Sequence, residues 1–211
     1  MRRTFFLFVA SIIITSMNAQ TKIIQLNTPD TNRGSAVMKA LSDRKSDREF
    51  SEKELSTKDL SDLLWAANGI NRKGEGKRTA PSAMNKQDID VYAVMKSGTY
   101  LYDHQKHALV LIAEGDHRKA VAGGQDFVLQ APLSLVLVSD LSRFGNISDR
   151  ARLMGAMDAG IVSQNINLFC AGIGLVTVTR ASMDFDGLKK VLKLTDSQVP
   201  MINNPIGYPK K

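Results

Sequence analysis

The stretch that decides the fold of this 211-residue chain is AGIVSQNINLFCAGIGL, residues 159–175. Coiled as a helix it is apolar on most sides, and it ends in two glycines that flank Ile173. Together with the preceding residues it predicts a helix over 148–171, stopped by Gly172 and Gly174. Such an apolar helix lies at the centre of a domain or in a dimer interface. Four small residues would let another backbone approach it closely: Gly155, Ala156, Ala159 and Gly160.

The segments around this helix mix helical and strand patterns without strict alternation. Further helices are predicted over 35–44, 56–70, 116–122 and 184–194. Strands are predicted as three β-rich runs within 88–115, then at 132–140, at 175–179 and at the end of the chain in IGYPKK. The first two of these runs join at Ser97-Gly98 as an antiparallel hairpin, and residues 71–88 read as a polar loop. This mixture predicts an α+β domain over 35–211, with a central, mainly antiparallel sheet flanked by helices.

The first twenty residues resemble a secretory signal peptide. Arg2 and Arg3 precede a short apolar run, and small residues follow it near Ala19. The run is shorter than the ~20 apolar residues that cross a bilayer. We therefore expect cleavage of residues 1–20, export to the periplasm or medium, an N-terminal arm over 21–34 and no membrane span in the mature chain. A buried core helix is the alternative.

Composition and spacing exclude several kinds of site. Cys170 is the only cysteine, so no internal disulfide framework and no cysteine-built metal site can form. His104 and His107, with Asp103, lack a fourth ligand nearby and favour a solvated turn over a metal site. The sequence has no phosphate-binding loop, dinucleotide fingerprint or nucleophile elbow. The basic residues are interleaved with acids, which does not favour a nucleic-acid binder.

Residues 44–50, RKSDREF, carry three cations around one hydroxyl. Arginine offers a planar fork of donors to phosphate oxygens, lysine adds a point charge and serine adds one more hydrogen bond. By itself such a cluster is either a solvated charge run or a site for an anion. The loop TAPSAMNKQ, residues 79–87, and two lysines at the end of the chain offer further polar groups.

Six of these pieces, in this order, resemble the nitroreductase family of flavin-dependent oxidoreductases, in particular its thiazoline-oxidase-like branch. They are RKSDREF, LLWAANGI, TAPSAMNKQ, YLYDHQKHAL, AGIVSQNINLFCAGIGL and IGYPKK. The resemblance runs from Leu41 to Lys211. It implies an FMN-dependent enzyme that is a homodimer, with the flavin in the interface between the chains.

The resemblance also implies the residues that bind FMN. Arg44, Lys45 and Ser46 would bind the phosphate, with Lys210 returning to it, and Arg48 would stabilise the flavin ring. The ribityl chain would be lined by Pro81, Ser82, Ala83 and Asn85, whereas Arg180, Ala181 and Ser182 would lie beside the flavin N5 through backbone groups. The chain departs from the family pattern at Lys45, at Ala181 and at Asp88-Ile89.

The chemistry implied is electron transfer through the flavin, from NAD(P)H or an organic donor to a nitroaromatic, a quinone or another small acceptor. No metal and no side-chain general base are implied. Because NAD(P)H is scarce outside the cytoplasm, an exported member needs another donor or runs in the oxidative direction. The alternative is a non-enzymatic descendant that keeps the fold and binds a flavin or another phosphorylated ligand.

Overall fold

A computed structural model describes residues 22–210 as one α+β domain built on a seven-stranded sheet. Its strands are β1 (Ile23–Gln25), β4 (Ile89–Met95), β5 (Gly98–Asp103), β6 (Ala108–Glu114), β7 (Leu133–Asp140), β8 (Val176–Thr177) and β9 (Gln198–Gly207); β2 (Ile70–Arg72) and β3 (Lys77–Arg78) form a separate hairpin. Every strand pair in the seven-stranded sheet is antiparallel, in the order β1-β6-β5-β4-β7-β9-β8. The helices are α1 (Val37–Asp43), α2 (Thr57–Asn68), α3 (Arg118–Ala122), α4 (Asp149–Ile173) and α5 (Phe185–Val191). The predicted fold class is confirmed.

The longest helix, α4, begins at the predicted cap and runs two residues beyond the predicted end, through Gly172 to Ile173. The side chain of Ser148 accepts a hydrogen bond from the backbone N–H of Ala151 and caps the first turn. Gly174 adopts a left-handed conformation, φ 78°, which a glycine accepts without steric cost and which ends the helix. One side of α4 packs on the sheet through Val162, Ile166 and Cys170.

Two apolar layers enclose the sheet. On one face α2 and α4 pack against β4, β5 and β7, and the fully buried residues there include Leu63, Leu64 and Ile166. On the other face α3 and α5 cover Val94, Val136 and Val138. The interior strand β7 is buried on both faces, as its unbroken apolar run predicts.

The start of α2 ties the two ends of the described chain together. Ser56 caps the helix by accepting from the backbone N–H of Asp59. The Asp59 carboxylate contacts both Arg33 of the N-terminal arm and the hydroxyl of Tyr208 after β9. Arg33 also donates to Asp62 one turn later, at 2.9 Å. The arm and the C-terminal strand are therefore held at one end of α2.

The structure differs from the sequence prediction in its short strands. The arm contributes β1, which hydrogen-bonds along β6, and the predicted polar loop of residues 71–88 contains the β2–β3 hairpin. The strands β1, β2 and β3 are each too short to carry an alternating pattern, so only their hydrogen-bonded partners identify them. The predicted signal peptide lies outside the described residues. No helix within residues 22–210 is long and apolar enough to cross a membrane.

Candidate functional site

The cationic segment, residues 44–50, is fixed by its backbone while most of its side chains stay in solvent. The N–H of Asp47 donates to the carbonyl of Thr177 in β8, at 3.0 Å. Phe50 is buried and forms a β-bridge with Pro209, and the next residue, Ser51, donates its N–H to the carbonyl of Tyr208. Lys210 therefore follows directly on a residue paired with this segment. The last described residues of the chain therefore lie beside the Phe50 end of the cationic segment.

The donors of this segment are free to bind a ligand. Within residues 22–210, the side chains of Arg44, Ser46 and Arg48 make no hydrogen bond and no ion pair, and all three residues are exposed. Lys45 lies 3.2 Å from the Asp47 carboxylate, whose pKa is lowered first by a backbone hydrogen bond from Glu49 and then by Lys45. Two unpaired guanidinium groups and a hydroxyl on a fixed backbone fit a phosphomonoester.

The second predicted element, residues 81–87, is a tight loop held from several sides. Met84, Asn85 and Gln87 all have positive φ, near 50°, which is rare for residues other than glycine. The Ser82 hydroxyl accepts from the backbone N–H of Gln87 at 2.8 Å, and the Gln87 amide donates to the carbonyl of Gly76 in the β2–β3 hairpin. This strained turn persists only because its surroundings fix it.

Asp158 of α4 is the main support of that loop. Its carboxylate accepts the backbone N–H of Ala83, at 2.8 Å to the nearer oxygen, and the residue is 3% exposed. Burial and a hydrogen bond with Asp88 raise the pKa of Asp158 to about 6. Asp88 is itself fully buried and accepts from the hydroxyl of Ser139. Sequence reasoning missed this pair, since the two acids are 70 residues apart.

Two sets of the predicted site residues lie along different parts of α4. Lys45 and Asp47 line a cavity of about 250 Å³ together with Cys170 of α4, whereas Ala83 is bound to Asp158. Asp158 and Cys170 are twelve positions apart, which corresponds to about 18 Å along a helix. Pro81, Ser82, Ala83 and Asn85 therefore do not meet the cationic segment through this helix within one chain.

The backbone of Arg180, which the resemblance places beside the flavin N5, is paired with β9. Its backbone N–H and C=O are both hydrogen-bonded to the backbone of Asn203 in β9, at 2.9 and 2.7 Å. Its side chain points inward and is almost completely buried. The carbonyl of Ser182 also accepts, from the Asn203 amide, and Ala181 between them is exposed.

Phe127 joins this side of the site, and no pattern in the sequence indicated it. The Arg48 guanidinium carbon lies 5.9 Å from the centre of the Phe127 ring, and that of Arg180 lies 5.4 Å from it. Phe127 therefore brings together two predicted site residues that are 132 positions apart.

The histidines considered as metal ligands have other partners. His104 contacts the buried guanidinium of Arg78 at 3.1 Å through Nε2, and burial lowers its pKa to about 4. His107 contacts the Tyr102 hydroxyl at 2.8 Å through Nδ1. Among residues 22–210, no three His, Cys, Asp or Glu side chains are grouped so that they could hold a metal ion.

Comparison with known proteins gives a consistent result. The sequence profile of the nitroreductase family matches residues 41–208. A protein of Methanocaldococcus jannaschii named as a candidate nitroreductase is 28% identical over 174 residues, covering 78% of this chain and 86% of that protein. A Bacillus subtilis protein named FMN reductase (NAD(P)H) is 25% identical over 188 residues, covering 82% of this chain and 66% of the relative.

Among solved structures, a candidate nitroreductase from Ralstonia eutropha superposes with a TM-score of 0.83 at 38% identity, covering 90% of each chain. The family profile spans the cationic segment, α4 and β9, which are the parts of the fold that hold the candidate site.

Proposed function

The chain belongs to the nitroreductase family, and from that premise we propose that it is an FMN-dependent oxidoreductase whose site is completed by a second copy of the chain. The observation that carries the proposal is the unpaired donor set of Arg44, Ser46 and Arg48 on a segment fixed to β8 and to the chain end. A hydrogen bond to a charged group contributes about 1.5–3 kcal/mol, so three or four of them hold a phosphomonoester firmly.

The residues of this chain position and polarise the bound group. Arg44, Lys45 and Ser46 bind its phosphate, and Lys210 reaches the same end because Phe50 pairs with Pro209. Arg48, which lies over Phe127, places a positive charge beside the flavin ring. FMN supplies the hydride and electron chemistry when bound, so a side-chain nucleophile is not needed.

A dimer would solve the division of the site along α4. Three large apolar side chains on this helix remain in solvent at helical spacing: Leu153 is 60% exposed, Met157 57% and Ile161 37%. A second copy that packs against this exposed side of α4 would supply its own 81–87 loop to the cationic segment of the first. The exposed stripe is the surface of α4 that such a copy would cover.

The direct test is the absorbance spectrum of the purified protein. We expect a yellow protein with the absorbance bands of bound oxidised flavin, or a colourless protein that gains them on addition of FMN at low salt. The bands should bleach under a reductant and return with an acceptor such as a quinone. A protein that takes up no FMN contradicts the proposal. Bound flavin that cannot be cycled supports the non-enzymatic descendant instead.

A mixing experiment tests whether both chains build each site. Homodimers of Arg44→Ala and of Asn85→Ala are each expected to bind FMN weakly at both sites. After mixing in equal amounts and exchange, half of the dimers are heterodimers and each holds one site with both residues intact, so about a quarter of the tight FMN sites should return. If the two residues served one site in the same chain, mixing would restore none of them.

The donor and the acceptor follow the family. The Bacillus subtilis relative is named for NAD(P)H, and we propose NAD(P)H or an organic donor, with a nitroaromatic, a quinone or another small acceptor. If the chain is exported, as residues 1–20 indicate, an organic donor is favoured. Assays of the purified protein with NADH, NADPH and a reduced quinol, each with the same acceptor, distinguish these cases.

A further inference from the structure

The charge of Arg180 has no carboxylate partner in the described chain. The residue is 7% exposed, and no ion pair within residues 22–210 involves it. Its guanidinium donates to four neutral oxygens, which are the Gln125 side-chain carbonyl at 3.0 Å, the backbone carbonyls of Val121 at 3.2 Å and Ala122 at 2.9 Å, and the Asn203 side-chain carbonyl at 2.8 Å. The hydrogen-bonding capacity is well used, but the positive charge is not neutralised.

A second cation adds to this charge. Arg48 lies over the same Phe127 ring as Arg180 and is free of any ion pair among the described residues. Burial and then the charge of Arg48 lower the pKa of Arg180. Burying an unpaired charge costs free energy, and two like charges around one ring raise that cost. An anion bound beside them would recover part of it.

The segment that carries Phe127 is also held firmly by its neighbours. Gly123, with φ 54°, packs so closely on the next segment that a Cβ there would lie 2.6 Å from the Cα of Met183. Gln125, two residues later, is hydrogen-bonded to Arg180, and Phe127 follows in a short 3₁₀ helix. The position of the Phe127 ring, over which Arg48 lies, is therefore determined by packing in the core.

We propose that the face formed by Arg48, Phe127 and Arg180 binds the negatively charged group of the small molecule that exchanges electrons at this site, and so selects anionic donors or acceptors over neutral ones of the same shape. This inference rests on the proposed function. Arg48 is the contacting cation. Arg180 is a positioning residue that holds Phe127 and adds its buried charge. A planar carboxylate suits both the guanidinium fork and the half-buried ring.

The test compares benzoate with benzamide, which have nearly the same shape but differ in charge. Both are titrated into protein saturated with FMN, and the dissociation constants are read from the perturbation of the flavin absorbance. We expect benzoate to bind at least tenfold more tightly. Arg48→Gln should reduce this ratio to about two or less, and Arg180→Gln should also reduce it. Lys193→Gln removes one exposed positive charge elsewhere and should leave the ratio unchanged.

The outcomes separate this inference from the proposed function. Arg48 is exposed, so its variant answers the question even if Arg180→Gln does not fold. Equal binding of the two probes by FMN-loaded wild type, or a preference that survives in Arg48→Gln, overturns the inference alone. Benzoate that binds only FMN-free protein and is displaced by FMN assigns the cations to the cofactor phosphate and also overturns it. Protein that takes up no FMN contradicts the proposed function and this inference together.

Discussion

Single side chains account for the binding chemistry, and Arg44 is the simplest to test. The residue is exposed, and its side chain has no partner within residues 22–210, so Arg44→Ala should change the free energy of unfolding by less than about 0.5 kcal/mol. The loss of one charge-assisted hydrogen bond should weaken FMN binding by about 1.5–3 kcal/mol, roughly ten- to a hundredfold. Fluorescence titration of FMN with the apoprotein measures this, with Arg72→Ala as an exposed control. Unchanged affinity in Arg44→Ala would place the phosphate elsewhere.

Asp158 predicts a pH dependence of stability. In the folded chain its pKa is raised to about 6, whereas an aspartate in the unfolded chain titrates near 3.9. Between these values the folded state binds the extra proton, so this group's contribution to the free energy of unfolding falls as pH rises from about 4 to about 6. The fall should be about 2–3 kcal/mol. Above about pH 6 Asp158 is ionised in both states, so its contribution no longer changes with pH.

The variant Asp158→Asn checks this sign. The amide carbonyl still accepts the Ala83 N–H, but the group no longer titrates, so the variant should become more stable relative to wild type as pH rises from 4 to 6. Denaturant unfolding at several pH values measures the difference, and the fully exposed Asp196→Asn serves as the control. A difference that stays constant with pH would show that the pKa of Asp158 is not raised in the folded chain.

At the scale of elements, the packing of α4 on β7 depends on Gly155. Replacing glycine by alanine in a helix normally stabilises by up to about 1 kcal/mol. Here the new Cβ would lie 2.3 Å from the Ser139 hydroxyl oxygen and 2.8 Å from the Ser139 Cβ, and overpacking of this kind costs about 1–3 kcal/mol. We expect the cost of the clash to exceed the gain in helix propensity, because Ser139 is buried in the central sheet and donates to Asp88.

We therefore expect Gly155→Ala to lower the free energy of unfolding by about 1–2 kcal/mol in urea titrations. Gly74→Ala is the matched control, since a Cβ at Gly74 would meet nothing within 4 Å. An unchanged or raised midpoint for Gly155→Ala would mean that α4 moves away from β7 without loss.

At the scale of the whole molecule, the exposed stripe of α4 predicts an assembly. Met157→Lys places a charge in the middle of that stripe and should convert a dimer into a monomer, with loss of FMN binding because the 81–87 loop no longer reaches the cationic segment. Phe185→Lys alters an exposed apolar residue on α5 and should change neither property. Sedimentation velocity and flavin content measure both. A wild-type protein that binds FMN as a monomer would contradict this prediction.

The sequence by itself determined the elements whose signals are local. The two ends of α4 follow from Ser148 and Gly174, and the buried β7 follows from an unbroken apolar run, because caps and periodicity act over a few neighbouring residues. The cationic segment was also visible in the sequence, although only its order among the other five pieces favoured a phosphate site over a solvated charge run. Together, in order, these pieces indicated the family.

Only the tertiary structure decided how distant residues meet. The strand β1 exists because β6 offers it hydrogen bonds. The support of Ala83 by Asp158 joins residues 75 positions apart, and the stacking of Arg48 and Arg180 on Phe127 joins three separate segments. The burial of the Arg180 side chain and the separation of the site residues along α4 also result from contacts between distant elements. Such contacts arise from the packing of whole elements, and no pattern among near neighbours in the chain encodes them.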